Sequence, residues 1–306
     1  MRSLAFVTAL VLSALPVSSS IAQDRAFAAG TQYAYISNNA SRGGTFVYTL
    51  PLAASSHYRW VIGNLYAPGA VAFGQGQVYV LVANSSQGQG TLVFEQTSSG
   101  PVSWVLPSSL LPEMVAVDPA GDVFVGQSFI NGANASYQIN VFRHPITTST
   151  VRAFTMNAAV NNAGSTLTRG MAFDAGGNLW VKDDDKKTMD EYVPPFTSTS
   201  IPKLTFPKGS GAPYGSMTFD SHDVMYVTNS GIDVYKPPFT KNSRKAFTIS
   251  VPGPNSLAVD ASGNLYAACT NGRVYVFSPP FSAGSRPRVT MAIPTGSSLP
   301  FMGVTQ

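Results

Sequence analysis

The sequence predicts an all-β fold, a six-bladed β-propeller of four-stranded antiparallel blades. Three observations predict it. Residues 256–281, SLAVDASGNLYAACTNGRVYVFSPPF, read as three short strands separated by turns and stopped by Pro279-Pro280. The same order recurs at 170–196, GMAFDAGGNLWVKDDDKKTMDEYVPPF, and at 216–239, SMTFDSHDVMYVTNSGIDVYKPPF. An aromatic that marks the third strand of each unit (Tyr48, Phe94, Phe142, Tyr192, Tyr235, Phe277) returns every 42 to 50 residues, the length of one blade.

Each element of the unit follows from local chemistry. In the last unit Leu257-Ala258-Val259 is an apolar first strand, and Asp260 to Gly263 turn the chain, with Gly263 free to take positive φ. Leu265 to Ala268 form a second strand, Thr270-Asn271-Gly272 turn again, and Arg273 to Phe277 alternate with the period of a third strand. The Pro-Pro pair then stops the ladder, because proline has no N–H to donate. Fourth strands are predicted at 58–62, 102–106, 151–154, 203–206, 245–249 and 288–291. The first unit opens directly at a second strand, 33–36, and residues 301–305 read as a first strand with no second strand after it. The C-terminal strand is therefore predicted to complete the first blade, which leaves no open edge in the ring.

Residues 1–22 lie outside the repeats. Arg2, an apolar run and Ser20-Ile21-Ala22 have the order of a secretory signal peptide. The expected product is a single propeller domain, 23–306, in a secreted or periplasmic location. No later segment is apolar for long enough to span a bilayer. Charged residues are 11% of the chain, well under the usual quarter, and turn-forming polar residues fill the difference. The net charge of +4 is mild and the bases are spread along the chain, which argues against a nucleic-acid partner. Cys269 is the one cysteine, at the end of a strand, and reads as a small apolar residue. No phosphate loop, serine nucleophile elbow or Cys/His zinc spacing is present.

The repeats resemble NHL and YVTN propeller repeats. Tyr226-Val227-Thr228-Asn229 reproduces the YVTN tetrad, and the Asp-x-x-Gly-Asn turn occurs at 174–178 and 260–264, with a variant at 118–122. The resemblance covers nearly the whole chain after residue 22 and implies the fold; it extends distantly to gluconolactonase-like hydrolases, virginiamycin-lyase-like proteins and many scaffolds without catalysis.

In a blade the first strand starts and the second strand ends on the same face. Gly69, Glu113, Arg169, Gly215, Asn255 and Pro300 precede first strands, and Asn38, Asn39, Asn84, Gln127, Asp183, Asn229 and Asn271 follow second strands. These positions should surround one mouth of the central channel. The predicted ligand-binding rim is Glu113, Arg169, Asn255, Asn84, Asp183 and Asn229, and no catalytic residue is assigned. Glu113 and Arg169 fall on adjacent blades and read as an ion pair. The gluconolactonase-like resemblance implies an alternative, with Glu113, Asn255 and Asp183 as oxygen ligands of Ca²⁺ or Mg²⁺. A lyase of the virginiamycin type needs a histidine near the channel, and His57, His144 and His222 are not placed for it. Asp183 to Lys187, DDDKK, reads as a solvated hairpin loop. Asp118, Asp174, Asp220 and Asp260 read as turn residues whose carboxylates accept backbone N–H bonds. The expected function is binding of a glycan, peptide or cell-surface polymer without cofactor or catalysis, with a metal-dependent hydrolase of lactones or esters as the alternative.

Overall fold

A computed structural model describes residues 31–39, 43–65, 68–82, 89–97, 100–108, 111–131, 134–161, 170–183, 186–208, 215–294 and 300–305. The predicted signal peptide lies outside the described residues. Every regular element among them is a β-strand. The first blade contains β1 (Tyr33–Ser37), β2 (Gly43–Thr49) and β3 (Trp60–Leu65). The second contains β4 (Pro68–Gly74), β5 (Gln77–Val82), β6 (Gln89–Thr97) and β7 (Gly100–Ser108). The third contains β8 (Leu111–Val117), β9 (Val123–Asn131), β10 (Asn134–Phe142) and β11 (Phe154–Asn161). The fourth contains β12 (Gly170–Phe173), β13 (Leu179–Asp183), β14 (Thr188–Tyr192) and β15 (Leu204–Pro207). The fifth contains β16 (Met217–Phe219), β17 (Met225–Thr228), β18 (Ile232–Tyr235) and β19 (Phe247–Ile249). The sixth contains β20 (Pro254–Val259), β21 (Leu265–Cys269), β22 (Arg273–Phe277) and β23 (Val289–Ala292).

The last strand, β24 (Phe301–Val304), pairs antiparallel with β1 and makes the first blade four-stranded, as the sequence predicts. Tyr33 N donates to Thr305 Oγ1 at 2.7 Å and Thr305 N to Tyr33 O at 2.9 Å, which ties the two ends of the propeller together. The six inner strands β24, β4, β8, β12, β16 and β20 touch one another in turn and close a ring. One predicted fourth strand is displaced. The third blade was expected to use 151–154, but its outer strand starts at Phe154 and runs to Asn161. The apolar pair Val151 and Phe154 suggested the earlier start. Val151 instead lies in a corner loop and is 76% exposed.

The core lies in the seams between blades. The second strands contribute Tyr35, Tyr79, Phe124, Trp180, Tyr226 and Tyr266, an aromatic at the same ladder position of every blade and each buried. The apolar residue after each corner proline packs on the aromatic of the preceding blade. Phe196 meets Phe124, Phe239 meets Trp180 and Phe281 meets Tyr226, with ring centroids 5.0–5.6 Å apart. The Pro-Pro-Phe triplets are thus strand stops with a packing aromatic, as read from the sequence, and the corner peptide bond is cis in five blades.

The turn aspartates act as predicted. Asp260 accepts from Ser262 N and Asn264 N on Oδ1, and from Asn264 Nδ2 and the Tyr266 hydroxyl on Oδ2, all within 2.9 Å. Asp220 repeats this with Tyr226, and Asp174 with the Trp180 indole N–H. The second carboxylate oxygen therefore serves the seam aromatic, a link between turn and core.

Candidate ligand-binding site at the mouth of the propeller

Three inner strands carry a proline within their first two residues, followed by a β-bulge. In β8, Pro112 pairs with Gln127 and Met114 with Gly126, so Glu113 is the extra residue. In β20, Pro254 pairs with Cys269 and Ser256 with Ala268, so Asn255 is extra. In β4 the register slips between Pro68 and Val71, around Gly69. Proline cannot donate to the ladder at a strand's first residues, and the bulge that follows bends the strand and re-aims one side chain. The sequence reading put Glu113, Asn255 and Gly69 before their strands; they lie inside them, at the bulges. The signal for this was present as Pro-Gly, Pro-Glu and Pro-Asn at 68–69, 112–113 and 254–255.

Asn255 is buried, and its Nδ2 donates to Pro300 O on the neighbouring first blade at 2.8 Å. The next residues continue the stitch. Met302 N donates to Ser256 Oγ at 3.1 Å, and Leu257 N donates to Ser216 Oγ of the fifth blade at 2.7 Å.

Asp183 closes β13 and is only 1% exposed. This corrects the solvated-loop reading for its first residue. The reason is the strand pleat: Leu179, Val181 and Asp183 share the face that packs toward the third blade. Asp183 accepts from Lys186 N at 2.9 Å and pairs with Lys186 Nζ at 3.3 Å. Across the seam stands Tyr137 of β10, fully buried, on the strand face that carries Ile139 and Val141. Its hydroxyl packs over Gly126, where any Cβ would collide with it. Burial, with the Glu113 charge adding, pushes the Tyr137 phenol well above its ordinary value. Burial also raises Asp190, which lies on the same face as Asp183 and feels its charge, while a hydrogen bond from Thr205 at 2.8 Å works the other way. Glu113, Tyr137, Asp183 and Asp190 thus make the seam between the third and fourth blades acidic and hydroxyl-bearing.

The remaining predicted rim residues behave differently. Asn229 turns into its own hairpin, where Nδ2 donates to Asp233 at 2.8 Å and Oδ1 accepts from Ser230 N at 2.8 Å. Arg169 and Asn84 lie outside the described residues, and with Arg169 the predicted pair with Glu113. Glu113, Asp183 and Asn255 sit on the third, fourth and sixth blades. Among the described residues no three His, Cys, Asp or Glu side chains gather closely enough to hold a metal ion. His57, His144 and His222 are all exposed, in a corner loop, a corner loop and a turn. Cys269 is buried and burial pushes its thiol up to about 12, so it is no thiolate at neutral pH. The opposite face holds a cleft of about 380 Å³ between the third and fourth blades. Its polar lining is spent internally, because Arg143 pairs with Asp122 and donates to Phe196 O at 3.4 Å.

With this geometry the solved structures can be compared. A protein from Bacteroides caccae superimposes with TM-score 0.64 at 9% identity, over 90% of this chain and 99% of its own. A periplasmic gluconolactonase of Pseudomonas aeruginosa gives 0.59 at 14% identity, over 86% and 84%. A putative 6-phosphogluconolactonase of Bacteroides uniformis gives 0.57 at 11% identity, over 89% and 99%. The likeness is one of fold. It agrees with the distant resemblance to NHL and YVTN propellers. No protein-family model matches the chain, and no curated protein matches it. Among the described residues no helix is long and apolar enough to cross a membrane.

Proposed function

We propose that this chain is an exported propeller that binds a glycan, a peptide or a cell-surface polymer at the mouth of its channel, without catalysis. The observation that carries the reading is the pair of bulges that single out Glu113 and Asn255 at the same end of the inner strands. Bulges beside a channel re-aim side chains, and the seam next to Glu113 adds acceptor and hydroxyl groups suited to a ligand rich in O–H and N–H. Ser221 Oγ and His222 Nδ1 stand 3.4 Å apart, but on an exposed turn of the opposite face, away from the mouth.

The second reading is a metal-dependent hydrolase of lactones or esters, with Ca²⁺ or Mg²⁺ on Glu113, Asn255 and Asp183. Two carboxylates at one end of adjacent blades favour it. Against it, Asn255 gives its amide to Pro300 and Asp183 is held by Lys186, so the three do not form one cage. Glycan-array binding followed by calorimetry, on wild type and on Glu113→Ala, separates the readings. We expect metal-independent binding of an array ligand, weakened at least about tenfold in the variant, the scale of one charge-assisted hydrogen bond. Lactone hydrolysis that needs a divalent metal and vanishes in Glu113→Ala would establish the second reading instead.

A further inference from the structure

Cations that are scattered in the sequence are gathered by the fold. Five blades join their third and fourth strands through a corner loop, at 50–59, 143–153, 193–203, 236–246 and 278–288. The loops share one geometry. Ala53, Thr147, Thr197, Thr240 and Ser282 each donate their N–H to the hydroxyl three residues on, at 2.7–2.9 Å. Each loop then returns with an N–H bond to the third strand, from Arg59, Ala153, Lys203, Ala246 and Arg288, at 2.7–2.8 Å. Strand direction puts all five corners at the periphery of one face, opposite the mouth. Blade two joins its strands instead by a tight hairpin pairing Thr97 with Gly100.

The charge of these corners is one-sided. Arg59, Arg143, Arg152, Lys203, Lys236, Lys241, Arg244, Lys245, Arg286 and Arg288 all lie in them and all are exposed; this is 10 of the chain's 19 Lys and Arg, and none of its 15 acids falls in the same segments. Arg143 and Lys245 are held by Asp122 and Asp233. The turn aspartates of the same face lie nearer the axis and are enclosed by backbone N–H groups. The belt is therefore cationic at its circumference.

A second observation chooses the partner. The large exposed hydrophobics among the described residues are Tyr58, Val105, Val151 and Ile201, and three of them stand in these corners. Tyr58 precedes Arg59, Val151 precedes Arg152, and Ile201 is two residues from Lys203. Val151 and Ile201 are 76% and 79% exposed. A soluble polyanion gains nothing from a bare valine or isoleucine, whereas a bilayer interface takes the apolar tip below the headgroups and the cation among them.

We propose that this face of the propeller docks flat on an anionic lipid surface, with the corner cations on the headgroups and Tyr58, Val151 and Ile201 inserted between them. Each basic residue near such a surface strengthens binding several-fold, and the attraction is screened by salt. The site is separate from the mouth, which would stay turned toward solvent.

Co-sedimentation of the full chain with equimolar phosphatidylglycerol–phosphatidylcholine vesicles, against phosphatidylcholine alone, tests this. Wild type is compared with Lys241→Glu/Arg244→Glu and with Val151→Asp/Ile201→Asp. All carry the same N-terminal residues, so any lipid affinity of the apolar segment is common to them. The four positions are exposed, and unchanged melting temperatures check that each variant folds. We expect an excess of wild type on the anionic vesicles, reduced by salt, and at least about a tenfold loss of partitioning in each double variant. Variants that bind as wild type does would overturn the proposal. So would loss in the charge variant alone, since that would mark the belt as a docking surface for a soluble polyanion.

Discussion

Tyr137 and Tyr266 are both buried tyrosines, and they make opposite predictions. The Tyr266 hydroxyl donates to Asp260 Oδ2 at 2.7 Å. The Tyr137 hydroxyl is buried and has no hydrogen-bond partner among the described residues. Removing a satisfied hydroxyl loses a bond and strands its acceptor, while removing an unsatisfied one ends a desolvation penalty. Tyr266→Phe should therefore cost about 1–2 kcal/mol, and Tyr137→Phe should be neutral or stabilising by about 1 kcal/mol. Urea denaturation of the two variants checks the contrast. Equal losses in both would mean that the Tyr137 hydroxyl has a partner. The sequence carried half of this chemistry. The turn role of Asp260 was legible, because Asp-x-x-Gly-Asn fixes a local geometry within five residues. That its second oxygen serves Tyr266 depends on how far the strand carries the ring back toward the turn. The burial of Asp183 was not legible either, because DDDKK looks solvated in composition, whereas the strand's pleat turns its first residue inside.

The strand that closes the ring offers the clearest test at the level of elements. β24 pairs with β1 over Ala34 to Ser37, and Phe301, Met302 and Val304 are buried. Pro300 O, just before this strand, accepts from Asn255 Nδ2, and Met302 N within it donates to Ser256 Oγ. Deleting residues 300–306 should expose the edge of β1, uncover the side of β20 that packs on β24, remove these bonds and lower stability by several kcal/mol, since three large apolar side chains contribute about 1.5–3 kcal/mol each. A truncated chain that melts where the intact one does would refute the closure. The ends were legible because a missing first strand and an orphan one are complementary gaps in a periodic pattern. The bulges at Glu113 and Asn255 are not legible in the apolar pattern, since a one-residue slip leaves the pattern around it nearly intact. The outer strand of the third blade was misplaced for a related reason. Outer strands are half-solvated, so Val151 and Phe154 looked like neighbours on one strand although a corner loop ends between them.

At the scale of the molecule, the seams set how the propeller responds to alkali. Burial raises Tyr48 and Tyr235 to about 12, and raises Tyr35, Tyr79, Tyr137, Tyr192, Tyr226 and Tyr266 further, from an ordinary value of 10.0. Cys269 moves from 9.0 to about 12. A group raised in the folded state holds its proton at a pH where the unfolded chain has lost it. The native state then binds more protons, so stability is fully present below the unfolded value and declines as pH climbs above it. The sign is the same for all nine groups, and each can subtract up to about 1.4 kcal/mol per pH unit within its window. Stability should be nearly flat from pH 7 to 9, fall once the cysteine and tyrosine windows open, and fall steeply above about 10. Because the tyrosines occupy most of the seams, they should ionise together. The share of the tyrosinate absorbance that comes from these eight tyrosines, followed beside far-ultraviolet circular dichroism, is expected to rise in one cooperative step that coincides with loss of the β signal. Smooth ionisation of the whole tyrosine set from pH 10 with the β signal intact would show that the seams admit water and would refute a tightly packed inter-blade core.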